Sequence, residues 1–216
     1  MNCRPAIIKE TSRGIETVDT LSELYSSERI IFLNGKVDSD TCQDLITSLM
    51  YLETRSEDRP VTVVINSPGG EVRSGLAVYD VLRLMKAPVT TVCMGSASSM
   101  GSIIFLAGDK RIMMPHSELM IHDPSYGNLN VDHMKPHEIQ ERVDSLKKTG
   151  DELIRIIAQR TGRSEEEIRN KTREDSFFAA QEAVEFGLAT GIAQTLKEVT
   201  NICETTVHAY SPVTTR

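Results

Sequence analysis

A serine, a histidine and an aspartate in this chain of 216 residues are of the types that nucleophilic catalysis requires. Ser99 lies in the segment Gly-Ser-Ala-Ser-Ser-Met-Gly at 95–101, and His122 follows at the end of a short apolar run. Asp175 comes shortly before two phenylalanines. An unaided serine hydroxyl is a poor nucleophile near neutral pH, because it needs a base to take its proton and a carboxylate to orient that base. The three residues could therefore form a serine nucleophile system.

The sequence around Ser99 is a relaxed form of the nucleophile elbow G-x-S-x-G. Small residues at 95, 97 and 101 allow a tight turn, and the start of a helix offers free backbone N–H groups. The pattern is weak on its own, because a serine that merely caps a helix has the same local sequence. Ser96, Ser98 and Ser102 are alternatives that the spacing leaves open.

Paired glycines in Ser67-Pro68-Gly69-Gly70 form a second candidate element. They free the backbone to turn its N–H groups toward a substrate carbonyl. An oxyanion needs such donors fixed in place before the reaction. The same residues would equally make an ordinary turn between a strand and a helix.

The other histidines and the acidic candidate have simpler interpretations. His133 and His137 are four residues apart, but Pro136 intervenes and no carboxylate signature accompanies them, so a surface pair is a better interpretation than a metal site. Asp175 could be a solvated loop carboxylate. The two phenylalanines that follow indicate instead that its loop is attached to the core, which favours an orienting role.

Composition excludes several classes of protein. The net charge is −7 and no basic run is present, which argues against a nucleic-acid partner. The four cysteines lack C-x-x-C spacing, as expected for reduced thiols in a cytoplasmic protein. The first 25 residues have no apolar signal-peptide core, and no apolar run approaches the roughly 20 residues that span a membrane. We expect one cytoplasmic domain with no membrane partner.

Apolar runs alternate with helical patterns through the middle of the chain. The predicted strands are Ile30–Leu33, Val61–Ile65, Pro88–Met94, Lys110–Met114 and Glu118–Ile121, and the predicted helices are Asp40–Glu53, Glu71–Met85 and Ser99–Ala107. Continuous apolar strands separated by helices predict βαβ units and a largely parallel sheet, an α/β fold. The turn before Ser99 then lies at the carboxyl edge of the sheet, where α/β sites form.

The last third of the chain is more helical. A long helix is predicted from Pro136 to a stop at Gly162, with an apolar stripe that usually faces another layer or another subunit. Ser164 and Glu167 predict a capping box, and Ala179–Phe186 predicts a short helix.

These motifs together resemble those of the proteolytic subunits of the Clp protease family (ClpP). The similar segments are 10–14, 29–35, 65–70, 93–101, 120–122 and 182–188, and the resemblance covers about residues 7–195. It implies the ClpP/crotonase-like fold of stacked βαβ units with a protruding helical handle at about 124–160, inside a peptidase domain at 21–195. It also implies an N-terminal segment at 1–20 for axial gating or partner contact, and a flexible tail at 196–216.

The resemblance further implies a serine endopeptidase that needs no metal or organic cofactor. It assigns Ser99 as nucleophile, His122 as base and Asp175 as its orienter, with Gly70 and Met100 supplying the oxyanion hole. The implied assembly is two stacked heptameric rings that degrade unfolded polypeptides, with Arg173 and Glu174 at the ring–ring contact. A separate Clp-type AAA+ ATPase would dock on the ends and use the ATP.

Some positions depart from the family pattern. Asp123 stands where glutamine is usual, and Arg173-Glu174 reverses the common acidic–basic order. Thr62 and Val64 stand where tyrosines often line the ATPase docking pocket. Three alternatives stay open: a crotonase-type acyl-CoA enzyme, a non-catalytic ring subunit, and a phage-type processing protease of the same family.

Overall fold

The computed structural model describes residues 6–12, 14–127 and 130–200. A seven-stranded sheet forms the centre, and a two-stranded antiparallel hairpin precedes it. The strands are β1 (Ala6–Thr11), β2 (Gly14–Asp19), β3 (Ile30–Asn34), β4 (Val61–Ser67), β5 (Val89–Ser98), β6 (Lys110–Met113), β7 (Glu118–Ile121), β8 (Ser176–Ala179) and β9 (Gly191–Ile192). The helices are α1 (Thr20–Glu28), α2 (Ser39–Arg55), α3 (Val72–Leu84), α4 (Met100–Leu106), α5 (Pro136–Thr161), α6 (Glu165–Thr172), α7 (Ala180–Phe186) and α8 (Leu196–Thr200).

The central sheet confirms the α/β fold with parallel strands. Its main path runs β3-β4-β5-β6-β9, and every neighbouring pair on that path is parallel. Strand β7 leaves this path, because it pairs in parallel with the end of β5 and antiparallel with β8. The predicted strands and helices of the middle segment all form, with ends shifted by a few residues.

Helix α4 lies at the centre of the main core. All seven of its residues are buried, and its neighbours are α3, α5 and the strands β4, β5 and β7. A helix that is apolar on every side requires such an environment. Ser99, the residue just before α4, is therefore attached to a helix that is buried along its whole length.

The opposite face of the sheet has its own apolar cluster, formed by Ile30, Val64, Val92, Ala193 and Val199. Val199 belongs to α8, so a segment expected to lie in a flexible tail is helical at 196–200 and covers the sheet. The rest of that tail, 201–216, lies outside the described residues, as do residues 1–5 and Arg13 of the N-terminal segment.

Thr62 and Val64 do not line an open pocket in this subunit. Their exposed fractions are 1% and 4%, because β4 is covered on both faces. The two side chains are therefore part of the interior of the subunit and not of its surface. Tyrosines at these positions would require the surrounding core to repack.

The long helix α5 has two different halves. Its buried residues are Gly150, Leu153, Ile154, Ile157 and Ala158, all in the second half. In the first half the side chain of Val143 is exposed and that of Leu146 is partly exposed. The apolar stripe predicted from the sequence is thus only partly covered within the subunit. No described helix has the length and apolar character needed to cross a membrane.

The predicted capping box of α6 forms only in part. The Ser164 hydroxyl accepts a hydrogen bond from the Glu167 N–H at 3.2 Å. The Glu167 carboxylate, however, accepts from the Arg163 guanidinium at 2.6 Å. A charged donor is the stronger partner for a carboxylate, which explains why the side chain turns away from the cap.

A buried arginine connects the end of α2 to the sheet. Arg29 is 2% exposed and donates to the backbone oxygens of Leu52, Ser56 and Pro60 at 3.0, 3.0 and 3.2 Å. Helix ends leave carbonyl groups without intrahelical partners, and a buried carbonyl without a donor is costly. Arg29 donates to the oxygen of the buried Leu52 in the last turn of α2 and to two less buried oxygens that follow the helix.

We therefore expect Arg29→Met to destabilise the protein by about 1–3 kcal/mol, because three carbonyl oxygens at and after the end of α2 lose the Arg29 guanidinium as a donor. The measurement is the midpoint of urea unfolding. Arg59→Met is the matched control: Arg59 is exposed, and its side chain donates to the oxygen of Ser27 at 3.0 Å. The control should change stability by less than about 0.5 kcal/mol. Equal midpoints for the two variants would contradict this account of Arg29.

Candidate active site

The pairing of β7 brings the three candidate residues together. Ser98 of β5 pairs with Met120 of β7, so Ser99 leaves the sheet beside the end of β7. On the other side Ile121 pairs with Ser176 in an antiparallel ladder. One further step along that ladder places His122 opposite Asp175. Three segments that are distant in sequence therefore end at one point of the sheet edge.

The side chains of these residues form a chain of two hydrogen bonds. His122 Nδ1 lies 3.1 Å from Asp175 Oδ1, and His122 Nε2 lies 2.9 Å from Ser99 Oγ. In the neutral tautomer that donates from Nδ1 to the carboxylate, Nε2 is free to accept the serine proton. The arrangement has the order of contacts that a base-activated serine needs.

Ser99 has an unusual backbone conformation. Its φ and ψ are 54° and −122°, and it precedes α4 without a side-chain capping bond. Its N–H donates to the Met120 oxygen at 2.9 Å, which fixes the turn against β7. A left-handed φ in a residue other than glycine costs free energy and occurs often at functional sites. The interpretation of Ser99 as a simple helix cap is not supported by this geometry.

The other serines of the segment have different surroundings. The Ser102 hydroxyl donates to the Ser99 oxygen at 2.6 Å and is buried within α4. The Ser96 N–H donates to the Asn66 side-chain oxygen at 3.2 Å. Among the described serines, Ser99 is the one whose hydroxyl is hydrogen-bonded to His122.

Strand β5 is longer than the apolar run predicted. It continues from Met94 to Ser98, through residues with little strand propensity, because this extension pairs with β7. Its pairing with β4 is irregular: Ile65 opposes Cys93, but Ser67 opposes Ala97. The side chain of Asn66 bonds to backbone in the irregular region. The length of β5 therefore depends on its pairing with β7, which the local sequence of β5 does not reveal.

The glycine pair packs against the serine turn. A Cβ on Gly69 would lie 2.6 Å from the Ser98 oxygen and 2.7 Å from Ser99 Cβ, and one on Gly70 would lie 2.0 Å from the Val37 oxygen. Both residues have positive φ, 89° and 153°. These contacts and angles exclude a side chain at either position, and glycine at 69 is what allows the segment to approach Ser99.

Two backbone N–H groups are available next to this turn. Within the described part of the chain, neither the Gly70 nor the Met100 N–H donates to a protein acceptor. A Cβ on Gly69 would lie 3.0 Å from the Met100 nitrogen, which shows how closely the two segments approach. Free donors near a candidate nucleophile are what an oxyanion hole requires.

A narrow, mainly apolar cavity of about 20 Å³ lies beside Ser99 and His122. Its apolar lining includes Val72, Ile103, Ile121, Leu153, Ile154 and Ile157. A cavity of this size holds about one water molecule. Because its apolar lining comes from β7, α3, α4 and the buried half of α5, the cavity belongs to the well-packed part of the fold.

The triad residues differ in exposure. The His122 side chain is 26% exposed, whereas that of Asp175 is 60% exposed. Phe178 of β8, three residues after Asp175, is buried. Its ring packs on that of Phe186, with the ring centroids 4.9 Å apart. Phe177 is 57% exposed, so only one of the two phenylalanines attaches this segment to the core.

The remaining candidates are placed as follows. Arg173 and Glu174 are exposed, and neither forms an ion pair within the described chain. No group of three or more potential metal ligands occurs among the described residues.

The two described cysteines are buried, and burial raises the pKa of the Cys93 thiol to about 11, which makes it a poor nucleophile at neutral pH.

Comparison with known families agrees with the resemblance drawn from the sequence motifs. A family profile described as Clp protease matches residues 12–196. The chain belongs to the Clp protease family. The matched range includes Ser99, His122 and Asp175, together with the glycine pair. Clp proteases are peptidases that generally assemble into rings and work with Clp ATPases.

The close packing of the glycine pair generates a prediction for this Clp protease. We expect Gly69→Ala to slow the reaction of Ser99 with a fluorophosphonate by about 100-fold, because the new methyl group displaces the serine turn. The rate is measured by intact-protein mass spectrometry.

Gly127→Ala is its matched control, since a Cβ at Gly127 meets open space. The control should react at the rate of the unmodified protein. Unchanged reactivity in the Gly69 variant would show that the glycine does not hold the serine turn in place.

Proposed function

We propose that this protein is a serine endopeptidase subunit of a self-compartmentalised, ATP-dependent protease. The observation that carries the proposal is the hydrogen-bonded chain from Ser99 through His122 to Asp175. The free N–H groups of Gly70 and Met100 beside Ser99 support it. Family membership supplies the peptidase class, and the chain's own geometry supports the serine mechanism.

In the proposed reaction, Ser99 Oγ attacks the scissile carbonyl carbon and His122 Nε2 takes the hydroxyl proton. Asp175 stabilises the imidazolium that forms, and the Gly70 and Met100 N–H groups donate to the oxyanion. His122 then gives its proton to the leaving amine as the peptide bond breaks, which leaves an acyl-enzyme. A water molecule attacks this ester in the same way, releases the acid product and restores Ser99.

Unfolded polypeptides are the proposed substrates. The apolar cavity beside Ser99 would favour an apolar side chain next to the scissile bond, provided that the cavity widens on binding. A crotonase-type acyl-CoA enzyme would share the fold and the oxyanion hole but has no need of the Ser99–His122 contact. The contact therefore favours the peptidase. No cofactor takes part in the proposed peptide cleavage.

The proposed assembly is two stacked heptameric rings in the cytoplasm, with a Clp-type AAA+ ATPase docked on the ends. The partly uncovered apolar stripe on the first half of α5 supports a role for this helix as a handle between rings. Arg173 and Glu174 are exposed and available for an intersubunit contact. A two-fold contact would place Arg173 of one subunit opposite Glu174 of its mate despite the reversed order.

The central test is labelling by a fluorophosphonate, mapped by peptide mass spectrometry. We expect label on Ser99, and we expect Ser99→Ala to abolish both labelling and peptide hydrolysis, because the attacking oxygen is gone. Ser98→Ala is the matched control, and it should retain most of the activity. Label on Ser98, or none on purified wild-type protein that is assembled and folded, would contradict the serine mechanism with Ser99 as nucleophile.

The ring contact gives a separate prediction. Glu174→Arg should weaken ring stacking and slow peptide cleavage together, because it places like charges across the proposed contact next to Asp175. Sedimentation velocity and hydrolysis of a short fluorogenic peptide measure the two effects. We expect the sedimenting species to shift from double rings to single rings or smaller.

The reversed pair is the control for this variant. Arg173→Glu combined with Glu174→Arg restores opposite charges and should recover both mass and rate. If Glu174→Arg alone leaves mass and rate unchanged, these residues do not couple ring contact to the active site.

A further inference from the structure

Asp123 and Thr172, two residues close to the candidate triad in sequence, are hydrogen-bonded to each other. Asp123 directly follows His122, and Thr172 ends α6 three residues before Asp175. The Asp123 N–H donates to the Thr172 oxygen at 2.6 Å. The Thr172 hydroxyl donates to Asp123 Oδ1, also at 2.6 Å. The base-bearing and acid-bearing segments are thus joined by a backbone bond and a side-chain bond.

Thr172 is fixed in position by the burial of α6 and by the contact of this helix with α5. Thr172 is 2% exposed, and Ile168, one turn earlier in α6, is fully buried. Arg169 of the same helix bonds to Asp151 of α5 at 2.9 Å. The Thr172 hydroxyl has a second, weaker acceptor at 3.4 Å, the Arg169 oxygen, so its proton is committed to the shorter, charge-assisted bond.

The acid-bearing segment needs such an anchor. The β7–β8 ladder ends at the pair Ile121–Ser176, so His122 and Asp175 lie just beyond the last paired residues. The Asp175 side chain is 60% exposed, so water competes for its bond to His122. The β7–β8 ladder fixes the backbone on one side of His122 and Asp175. The hydrogen bonds between Asp123 and Thr172 lie on the other side of these two residues.

We propose that Asp123 and Thr172 form a clasp that positions Asp175 against His122. Both are positioning residues, which act through the base and its carboxylate partner. The proposal rests on the serine mechanism proposed above and extends it to two residues outside the triad. It also gives a role to the aspartate that replaces the glutamine usual in the family.

The clasp has one main rival explanation, in which the negative charge of Asp123 acts directly on His122. The contacts favour the clasp, since the Asp123 carboxylate is bonded to Thr172 and His122 is bonded to Ser99 and Asp175. Two single variants separate the explanations. Thr172→Val removes the donor and keeps the charge, whereas Asp123→Asn removes the charge and keeps an acceptor for the hydroxyl.

The experiment measures kcat and KM for a short fluorogenic peptide, and the rate of fluorophosphonate labelling, in the assembled protein. We expect Thr172→Val and Asp123→Ala to lower kcat and the labelling rate by about 10- to 100-fold, because the base loses its orientation. Asp123→Asn and Thr172→Ser should stay within about threefold of wild type. The double variant Asp123→Ala with Thr172→Val should be no slower than either single variant, because both remove the same bond.

Several outcomes would overturn the clasp. If Thr172→Val cleaves the peptide at the wild-type rate and Asp123→Asn is slow, the negative charge of Asp123 affects catalysis and its hydrogen bond to Thr172 does not. Additive losses in the double variant would show two independent effects. Native mass and melting temperature identify any variant that is merely unfolded, and Asp123→Ala, an exposed position, tests the clasp if Thr172→Val does not fold. Failure of the serine mechanism is distinguishable, since wild-type protein would then neither label at Ser99 nor cleave the peptide.

Discussion

The register of β7 between β5 and β8 is the constraint on which the site depends. A parallel ladder fixes β7 relative to the serine turn, and an antiparallel ladder fixes it relative to the aspartate segment. A slip of one residue in either ladder would turn His122 to the opposite face of the sheet, because side chains alternate along a strand. The hydrogen bonds of the triad therefore follow from backbone pairing before any side chain makes a contact. Leu119 and Ile121, both buried, oppose such a slip, since it would bring their side chains to the other face.

The strained serine turn is maintained by the elements on both sides of it. A conformation such as that of Ser99 costs about 1–3 kcal/mol and persists only where the surrounding structure imposes it. Before the turn, the end of β5 is paired with β4 and β7; after it, α4 is buried along its whole length. Gly69 closes the third side by backbone contact with the turn. Ser99 is thus held in place by apolar burial and sheet pairing.

Sequence patterns predicted most strands and helices of the central sheet and missed the hairpin β1–β2, helix α1, strand β8 and the extension of β5. The apolar strands β3 and β4 and the periodic helices were expected from local sequence, because continuous burial leaves a continuous apolar run. Strand β8 is four residues long and alternates in burial, and its partner β7 lies more than 50 residues earlier, so it left no recognisable pattern. The extension of β5 likewise depends on a partner strand, β7, that its local sequence does not reveal. Ser99 and His122 stood out by type and order, whereas the choice of Asp175 over a solvated carboxylate depended on family resemblance as well as on its neighbours.

The three triad residues are not equally constrained, and this has a consequence for the proposed mechanism. Ser99 and His122 lie where buried strands and a buried helix end, while Asp175 lies on an exposed segment with one buried anchor, Phe178. In that same segment, Thr172 is hydrogen-bonded to Asp123, the residue after His122, and Arg173 and Glu174 are exposed in the subunit. A site of this design would lose activity first through its carboxylate, because water replaces the Asp175 bond at less cost than any change to the serine turn. Contacts made by this segment, whether to Asp123 or to another subunit, would then regulate the base without altering the nucleophile.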